Sequence, residues 1–215
     1  MRPTTVTVGP LAAASANNIA LTQTPTSTVT INGSTATGGV ATLDTPRRVL
    51  ITPTGNESSN TFTITGTGLN STPQVEVIKG TNASAFNTNL DFLTVSSITL
   101  AVAAANALTV GTNGVASSQW VRLDEYASAQ VTVQCVASGT VNYTVQQTLQ
   151  DPKSPTNPVA PYSVVWASSA DASAVGATGS IVSSFTFAPI FVKVLLNSGT
   201  GSVSTVVSQL GVAPY

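Results

Sequence analysis

The sequence predicts an all-β protein made of two small antiparallel β-sandwich or jelly-roll-like units that follow an extended N-terminal arm. β-branched runs alternate apolar and polar residues with period two, and Gly, Asn, Ser and Pro separate them at a spacing of about ten residues. Helix-compatible composition is confined to Ala12–Leu21 and Ala101–Leu108, each of which is short. Many short strands at this spacing are typical of β-sandwiches and jelly rolls.

The strand pattern is clearest where apolar residues recur at every second position, as in Val49 and Ile51 or Phe62 and Ile64. One apolar face opposite a face of Thr, Gln and Asn indicates antiparallel sheets with a single buried side. The predicted strands are Thr28–Asn32, Arg48–Thr52, Thr61–Gly66, Gln74–Lys79, Phe92–Leu100, Gln119–Asp124, Gln130–Val136, Val141–Thr148, Ser163–Trp166, Ser183–Phe187, Phe191–Leu196 and Ser202–Gln209.

The predicted units follow from where these runs begin and pause. Residues 1–27 lack a regular alternation and contain three prolines, so we expect an extended arm that needs a partner to become ordered. The first unit is expected over residues 28–113 and the second over residues 115–215, on either side of the turn sequence Asn113-Gly114.

Two segments of the second unit have the same layout. Residues 129–149 and 190–210 each contain a strand, the turn Ser-Gly-Thr and a second strand, and residues 48–66 repeat the layout without that turn. We interpret these segments as related hairpins, which would make the second unit a pair of related halves. The alternative is that β sequences of low complexity resemble one another by chance.

Between the two repeated segments, proline recurs at every third position. This spacing matches the three residues per turn of a polyproline II helix, and proline also removes the backbone donors of a central strand. At about 3.1 Å per residue, such a strap would span on the order of 30 Å. It would be either a crossover or clasp against a neighbouring subunit, or a rigid spacer between domains. The prolines are Pro152, Pro155, Pro158 and Pro161.

The composition argues against an enzyme. The chain has no histidine, one cysteine and only 7% charged residues, whereas catalysis near neutral pH and most metal sites depend on such groups. No spacing indicates a Ser–Lys dyad with Lys79, Lys153 or Lys193, and Asp124-Glu125 would point to opposite faces of a strand. We therefore expect no cofactor and no metal.

Charge and cysteine content narrow the partners further. Seven basic and eight acidic residues give a formal net charge of −1, so no basic surface is predicted for nucleic acid or for a membrane. The single Cys135 cannot form an internal disulfide and lies at an inward position of a predicted strand, where it is expected to be a small buried apolar residue.

Four aromatic residues flank the strands of the second unit: Trp120, Tyr126, Tyr162 and Trp166. Core packing, an interface anchor and a sugar-binding platform all remain open for them. Trp166 follows the proline strap closely and is the preferred subunit contact. The candidate interface residues are Pro152, Pro155, Pro158, Pro161, Tyr162, Trp166 and Trp120.

Two parts of the chain resemble virion structural proteins of tailed bacteriophages. The first runs through Gly39–Val49, Gly55–Ser58 and Thr61–Thr67, and the second is Ser138–Gln146 followed by Asp151-Pro152. The resemblance implies a capsid cement or decoration protein, although phage fibre and tail proteins share this composition. It transfers no functional site residue to this chain.

The resemblance and the composition together give one expected function. The protein would be a non-enzymatic virion protein that clamps neighbouring major capsid subunits on the exterior of a phage head assembled in the host cytoplasm. Its expected partners are the major capsid protein and further copies of itself, as a dimer or trimer. The alternative is a fibre, tail or adhesin-type module that recognises carbohydrate.

Overall fold

The computed structural model describes residues 3–68, 71–124, 130–185 and 187–210, and within these ranges the chain forms eighteen β-strands and no α-helix. The predicted all-β class is confirmed. Short 3₁₀ turns occur at Pro161–Ser163 and Ala172–Ala174. The strands are β1 (Thr4–Val8), β2 (Ser15–Gln23), β3 (Ala36–Thr37), β4 (Val40–Arg47), β5 (Val49–Pro53), β6 (Thr61–Thr67), β7 (Pro73–Lys79), β8 (Phe86–Asn87), β9 (Phe92–Leu100), β10 (Leu108–Thr112), β11 (Ala116–Ser117), β12 (Val121–Arg122), β13 (Val131–Ser138), β14 (Val141–Thr148), β15 (Ala167–Ser168), β16 (Ile181–Phe185), β17 (Phe191–Gly199) and β18 (Ser202–Gln209).

The chain divides into two compact units. The N-terminal unit is Ala12–Gly114, and the C-terminal unit consists of the chain up to Leu11 together with the chain from Val115 onward. The N-terminal unit is therefore inserted after the first strand of the C-terminal unit.

The N-terminal unit is a sandwich of two antiparallel sheets. One sheet has the strand order β2-β10-β5-β8 and the other the order β3-β4-β9-β6-β7. Alternate side chains of both sheets meet in one core, which includes Ile19, Ile51, Phe62, Ile98 and Val110. Burial of these apolar side chains is the main favourable contribution to folding of the unit.

The C-terminal unit is a second sandwich with a core of its own. Its sheets have the orders β1-β18-β13-β16 and β11-β17-β14-β15, and β12 also pairs with β17. Inward residues such as Val133, Tyr143, Val194 and Val207 are fully buried between the two sheets. Cys135 is also fully buried in this core, as the alternation predicted.

Both units have the strand order of a jelly roll. When the strands of each unit are counted along the chain, with β3 and β4, or β11 and β12, taken together as the second, the sheets read 1-8-3-6 and 2-7-4-5. The jelly-roll alternative of the predicted fold class is therefore the one that the topology matches.

The predicted hairpins of the C-terminal unit are wrong in one respect. The strands on either side of each Ser-Gly-Thr turn lie in opposite sheets, so each segment is an arch over the core rather than a hairpin. The two arches pair with each other instead, with β13 against β18 and β14 against β17. Alternating apolar residues permit both arrangements, because the arch turns both apolar faces toward one core.

The predicted N-terminal arm over residues 1–27 is also corrected. Strand β1 pairs with β18 in the C-terminal unit, and β2 pairs with β10 in the N-terminal unit. The alternation in β1 spans only five residues between two prolines. In β2 it is interrupted where the register with β10 shifts, so that Ile19 and Ala20 are both buried.

Two carboxylates are buried in the N-terminal unit because they accept hydrogen bonds from loop backbone. Glu57 accepts from the Asn106 amide at 2.8 Å, and Glu76 accepts from the amides of Asn89 at 2.7 Å and Leu90 at 2.9 Å. Burial raises the pKa of Glu76, against the opposing effect of these hydrogen bonds. These charges are used to fix loops and are not available at the surface.

Arg47 is the third buried charge of this unit. Its guanidinium donates to the Asn113 carbonyl at 2.6 Å and to the Asp44 carboxylate at 3.1 Å, and the side chain is 1% exposed. Asp44 also accepts from the Ala12 amide at 2.7 Å. The pair thus fixes Ala12 and Asn113, the first and the second-last residue of the N-terminal unit.

A substitution at Gly9 tests how closely the chain after β1 packs against the turn between β17 and β18. Its φ is +80°, and a Cβ at this position would overlap the carbonyl oxygen of Gly201 between β17 and β18. We expect Gly9→Ala to lower the free energy of unfolding of the C-terminal unit by about 2 kcal/mol or more, because strain and overlap add. Urea denaturation measures this loss. The control is Gly114→Ala, where the Cβ meets nothing within 4 Å; equal stabilities of the two variants would contradict the prediction.

Candidate interface of the C-terminal unit

Trp120 and Trp166 lie together on the outer face of the β14–β17 sheet. Val192 and Val194 of β17 point into the core, so Phe191 and Lys193 point outward. The ring centroids of Trp120 and Trp166 are 4.9 Å apart, with the rings inclined at 71°. The Trp120 ring also meets the Phe191 ring at 5.7 Å and 64°. These are the edge-to-face contacts that aromatic pairs prefer.

Two cations complete this group. The Lys193 ammonium lies 4.3 Å from the centroid of the Trp166 ring, and the side chain is only 3% exposed. The Arg122 guanidinium is 5.6 Å from the Phe191 ring centroid. We call Trp120, Arg122, Trp166, Phe191 and Lys193 the aromatic–cation cluster. The ring face offsets part of the cost of removing the lysine charge from water.

The proline strap connects β14 to β15 within the C-terminal unit, so it is not a spacer between domains. It is also not one straight polyproline II segment. The Ser154 amide donates to the Asp151 carbonyl at 3.1 Å, and the Lys153 amide donates to the Asp151 carboxylate at 2.8 Å, which makes a turn at the beginning of the strap. The proline spacing did not predict this turn because the aspartate that nucleates it precedes the periodic residues.

The ends of the strap are tied together at its base. The Val165 amide donates to the side-chain oxygen of Gln150 at 2.7 Å. Pro155, Pro158 and Pro161 are exposed along the strap, whereas Pro152 is half-buried. Tyr162 is half-buried in the 3₁₀ turn Pro161–Ser163. The strap is thus a closed loop that presents three proline rings to solvent.

A cavity of about 530 Å³ lies between the strap and the Arg122 end of the cluster. The Arg122 guanidinium pairs with the Asp151 carboxylate at 3.0 Å in its wall. The cavity is mixed in character, because Leu149 and Ile190 line it beside Lys153. The salt bridge therefore joins the strap to the aromatic–cation cluster.

The other sheet of this unit has an outer face without charge. Strands β1, β18, β13 and β16 turn Ser, Thr, Gln and Val outward, and none of their described outward residues is ionisable. Val136 and Val182 are 48% and 66% exposed on this face. The outward residues are Thr5, Thr7, Thr132, Gln134, Val136, Ser138, Val182, Ser184, Ser202, Ser204, Val206 and Ser208. We call this surface the neutral face.

The titratable groups in the core of the C-terminal unit are held in their neutral forms. Burial raises the pKa of the Cys135 thiol, which accepts a hydrogen bond from the Thr205 hydroxyl at 3.4 Å. Burial likewise raises the pKa of Tyr143, whose hydroxyl donates to the Gly179 carbonyl at 2.7 Å. Neither group is presented as a nucleophile.

The described ranges contain neither a candidate metal-binding cluster nor a membrane-spanning helix. No group of three or more His, Cys, Asp or Glu residues there could hold a metal ion. No helix within residues 3–68, 71–124, 130–185 and 187–210 is long and apolar enough to cross a membrane.

Of the predicted interface residues, the structure brings Trp120 and Trp166 into contact and places the four prolines and Tyr162 on one loop. Tyr126 and Glu125 lie outside the described residues. Arg122, Phe191 and Lys193 were not predicted as members of the cluster. The alternation of β17 was the available signal, because Val192 and Val194 mark the inward positions.

Comparison of the chain with protein-family models and with curated proteins finds no match.

The contact between Lys193 and Trp166 can be measured by a double-mutant cycle. We expect Lys193→Met and Trp166→Leu to show a coupling energy of about 1 kcal/mol in urea denaturation, because each removes one partner of the cation–π pair. Lys79→Met, at an exposed lysine of the N-terminal unit, serves as the control and should combine additively with Trp166→Leu. Additive behaviour of the Lys193 variant would contradict the prediction.

Proposed function

We propose that this protein is a non-enzymatic virion structural protein that binds neighbouring major capsid subunits on the exterior of a bacteriophage head. The neutral face is the observation that carries the proposal. It is an ordered sheet surface with many hydrogen-bonding groups and no charge that would have to be desolvated on binding.

The distribution of charge over the whole chain supports an interface of this kind. Arg47, Glu57, Glu76 and Lys193 are each no more than 3% exposed, so four of the 15 charged residues contribute little to the surface. Low surface charge gives a monomer little protection from association. It also makes binding to a partner less sensitive to salt. A protein that works inside an assembly tolerates a tendency to associate, and it benefits from binding that depends little on salt.

The size of the neutral face fits one part of a stable interface. Its four strands present about 400 Å² in projection, from the strand spacing and the rise per residue. A stable interface of standard size buries about 800 Å² on each partner. The neutral face would therefore need a second contact, and the strap with its exposed prolines is the proposed one.

A charge placed in the neutral face tests the proposal. Gln134 is an exposed residue of the central strand β13. We expect Gln134→Lys to weaken co-sedimentation with empty shells of the major capsid protein encoded in the same genome by tenfold or more, since an unpaired buried charge costs well above ~1.4 kcal/mol. Its melting temperature should not change.

Thr30→Lys is the matched control, since it adds the same charge at an exposed position of the N-terminal unit. It should sediment like the original protein. If the unmodified chain does not bind the shells, and virions contain no copies of it by quantitative mass spectrometry, the capsid proposal is rejected.

The half-exposed tryptophans favour one second candidate, a fibre or adhesin-type module that binds carbohydrate. Aromatic rings partly open to solvent can stack on a sugar, but the Lys193 ammonium already occupies one face of the Trp166 ring. For this candidate we expect glycan-array binding that is lost in Trp120→Ala and kept in Phe187→Ala. An array without any bound glycan would rule it out.

A further inference from the structure

We infer that strand β1 is an exchangeable arm, which docks on β18 of a second copy of the chain and so joins copies to one another. The inference goes beyond the proposed function, because it concerns contacts of the protein with itself and needs no capsid.

The first support is the position of β1 in the chain. Its five residues pair with β18 from Thr4↔Val207 to Val8↔Val203 and with no other described strand. The entire N-terminal unit, Ala12–Gly114, lies between β1 and the remainder of the C-terminal unit. The segment that carries β1 is thus separated in sequence from the other described strands of its unit.

Second, the segment that carries β1 fills part of the core of the C-terminal unit. Val6, Val8 and Leu11 are at most 8% exposed and belong to the core of the C-terminal unit. A C-terminal unit without them has an open edge on β18 and an apolar groove beside it. The segment that fits is an alternating strand with valines at every second position, and every copy of the chain carries one.

Third, the segment that carries β1 ends at the boundary between the two units. Leu11 is the last residue of β1's segment that packs in the C-terminal core, whereas Ala12 begins the N-terminal unit. The N-terminal unit has a separate core with no member from residues 3–11. Withdrawal of β1 therefore leaves the N-terminal unit intact and breaks only contacts that a second copy restores.

Residues 12–14 form the link across which the exchange would occur. Ala12, Ala13 and Ala14 are exposed, and the Ala12 amide is bound to Asp44 of the N-terminal unit. Exchange of one element between identical chains keeps every contact and changes only which copy supplies it. The fraction of chains that exchange β1 then depends on the protein concentration relative to the effective concentration of the tethered strand.

Cross-linking of two single-cysteine variants tests the inference. Thr5 and Val206 stand opposite each other in the β1–β18 register, and both point outward. In a Cys135→Ala background, Thr5→Cys protein is mixed at high concentration with Val206→Cys protein and treated with a short thiol cross-linker. We expect a covalent heterodimer on a denaturing gel, with a yield that rises with protein concentration.

Two controls define the result. Thr30→Cys protein mixed with Val206→Cys protein should give no specific heterodimer, because Thr30 is exposed but lies outside β1. In a chain that carries both Thr5→Cys and Val206→Cys, pairing of β1 with β18 of the same chain gives an internal cross-link at low protein concentration. An efficient internal cross-link, with no heterodimer above the Thr30 background at any concentration, would overturn the inference while leaving the proposed capsid binding untouched.

The length of the link provides an independent measurement. Deletion of Ala13 and Ala14 shortens it by two residues, and short hinge loops favour exchange between copies over closure within one chain. We expect the heterodimer yield at a fixed concentration to rise several-fold in this background. An unchanged or lower yield would count against the exchange.

Discussion

The period of two along each strand is the constraint on which the rest of this structure depends. Since successive side chains point to opposite sides of a sheet, an apolar residue at every second position forces one face of each sheet inward. The two units satisfy this requirement separately, with Ile51 and Phe62 in one core and Val133 and Val194 in the other. The choice of inward residues also decides which polar residues are left on the outer faces.

The same constraint explains where the charged side chains lie. Of the four charged side chains that are at most 3% exposed in the described residues, three bind the backbone of loops. Glu57 and Glu76 bind loop amides, and Arg47 binds a loop carbonyl. Lys193 is the exception, since its ammonium lies over the ring of Trp166. The neutral face follows from this distribution and was not visible as a motif.

The sequence predicted the strands well where alternation continues without interruption, as at Val49 and Ile51 or Val141 to Val145. It failed at Thr28–Asn32, which alternates but forms only an isolated bridge at Thr28, and it failed where alternation is short or broken. Strand β1 has only two inward valines between its flanking prolines, and β2 buries Ile19 and Ala20 side by side at a register shift. Strand pairing could not be predicted from the sequence either, because a Ser-Gly-Thr turn is compatible with both a hairpin and an arch.

The candidate interface was predictable in its residue types but not in its arrangement. Trp120 and Trp166 were identified as aromatic residues that flank the strands of the second unit, and their contact depends on the pairing of β12 and β14 with β17. The turn at Asp151 depends on hydrogen bonds within the strap, which the proline period does not reveal. Burial of Lys193 depends on the rings above it, and a lysine on a strand is ordinarily exposed.

The insertion of the N-terminal unit after β1 also sets an order for folding during synthesis. The N-terminal unit has all its strands once residue 114 has emerged, so it can fold as a complete domain. Strand β1 is synthesised long before its partner β18, because the whole N-terminal unit and most of the C-terminal unit lie between them in the sequence. At a synthesis rate of about 5–20 residues per second, about 10–40 s pass between the synthesis of β1 and that of β18. Of the strands in its described sheet, β1 is therefore synthesised before the others and can pair only after β18 has been synthesised.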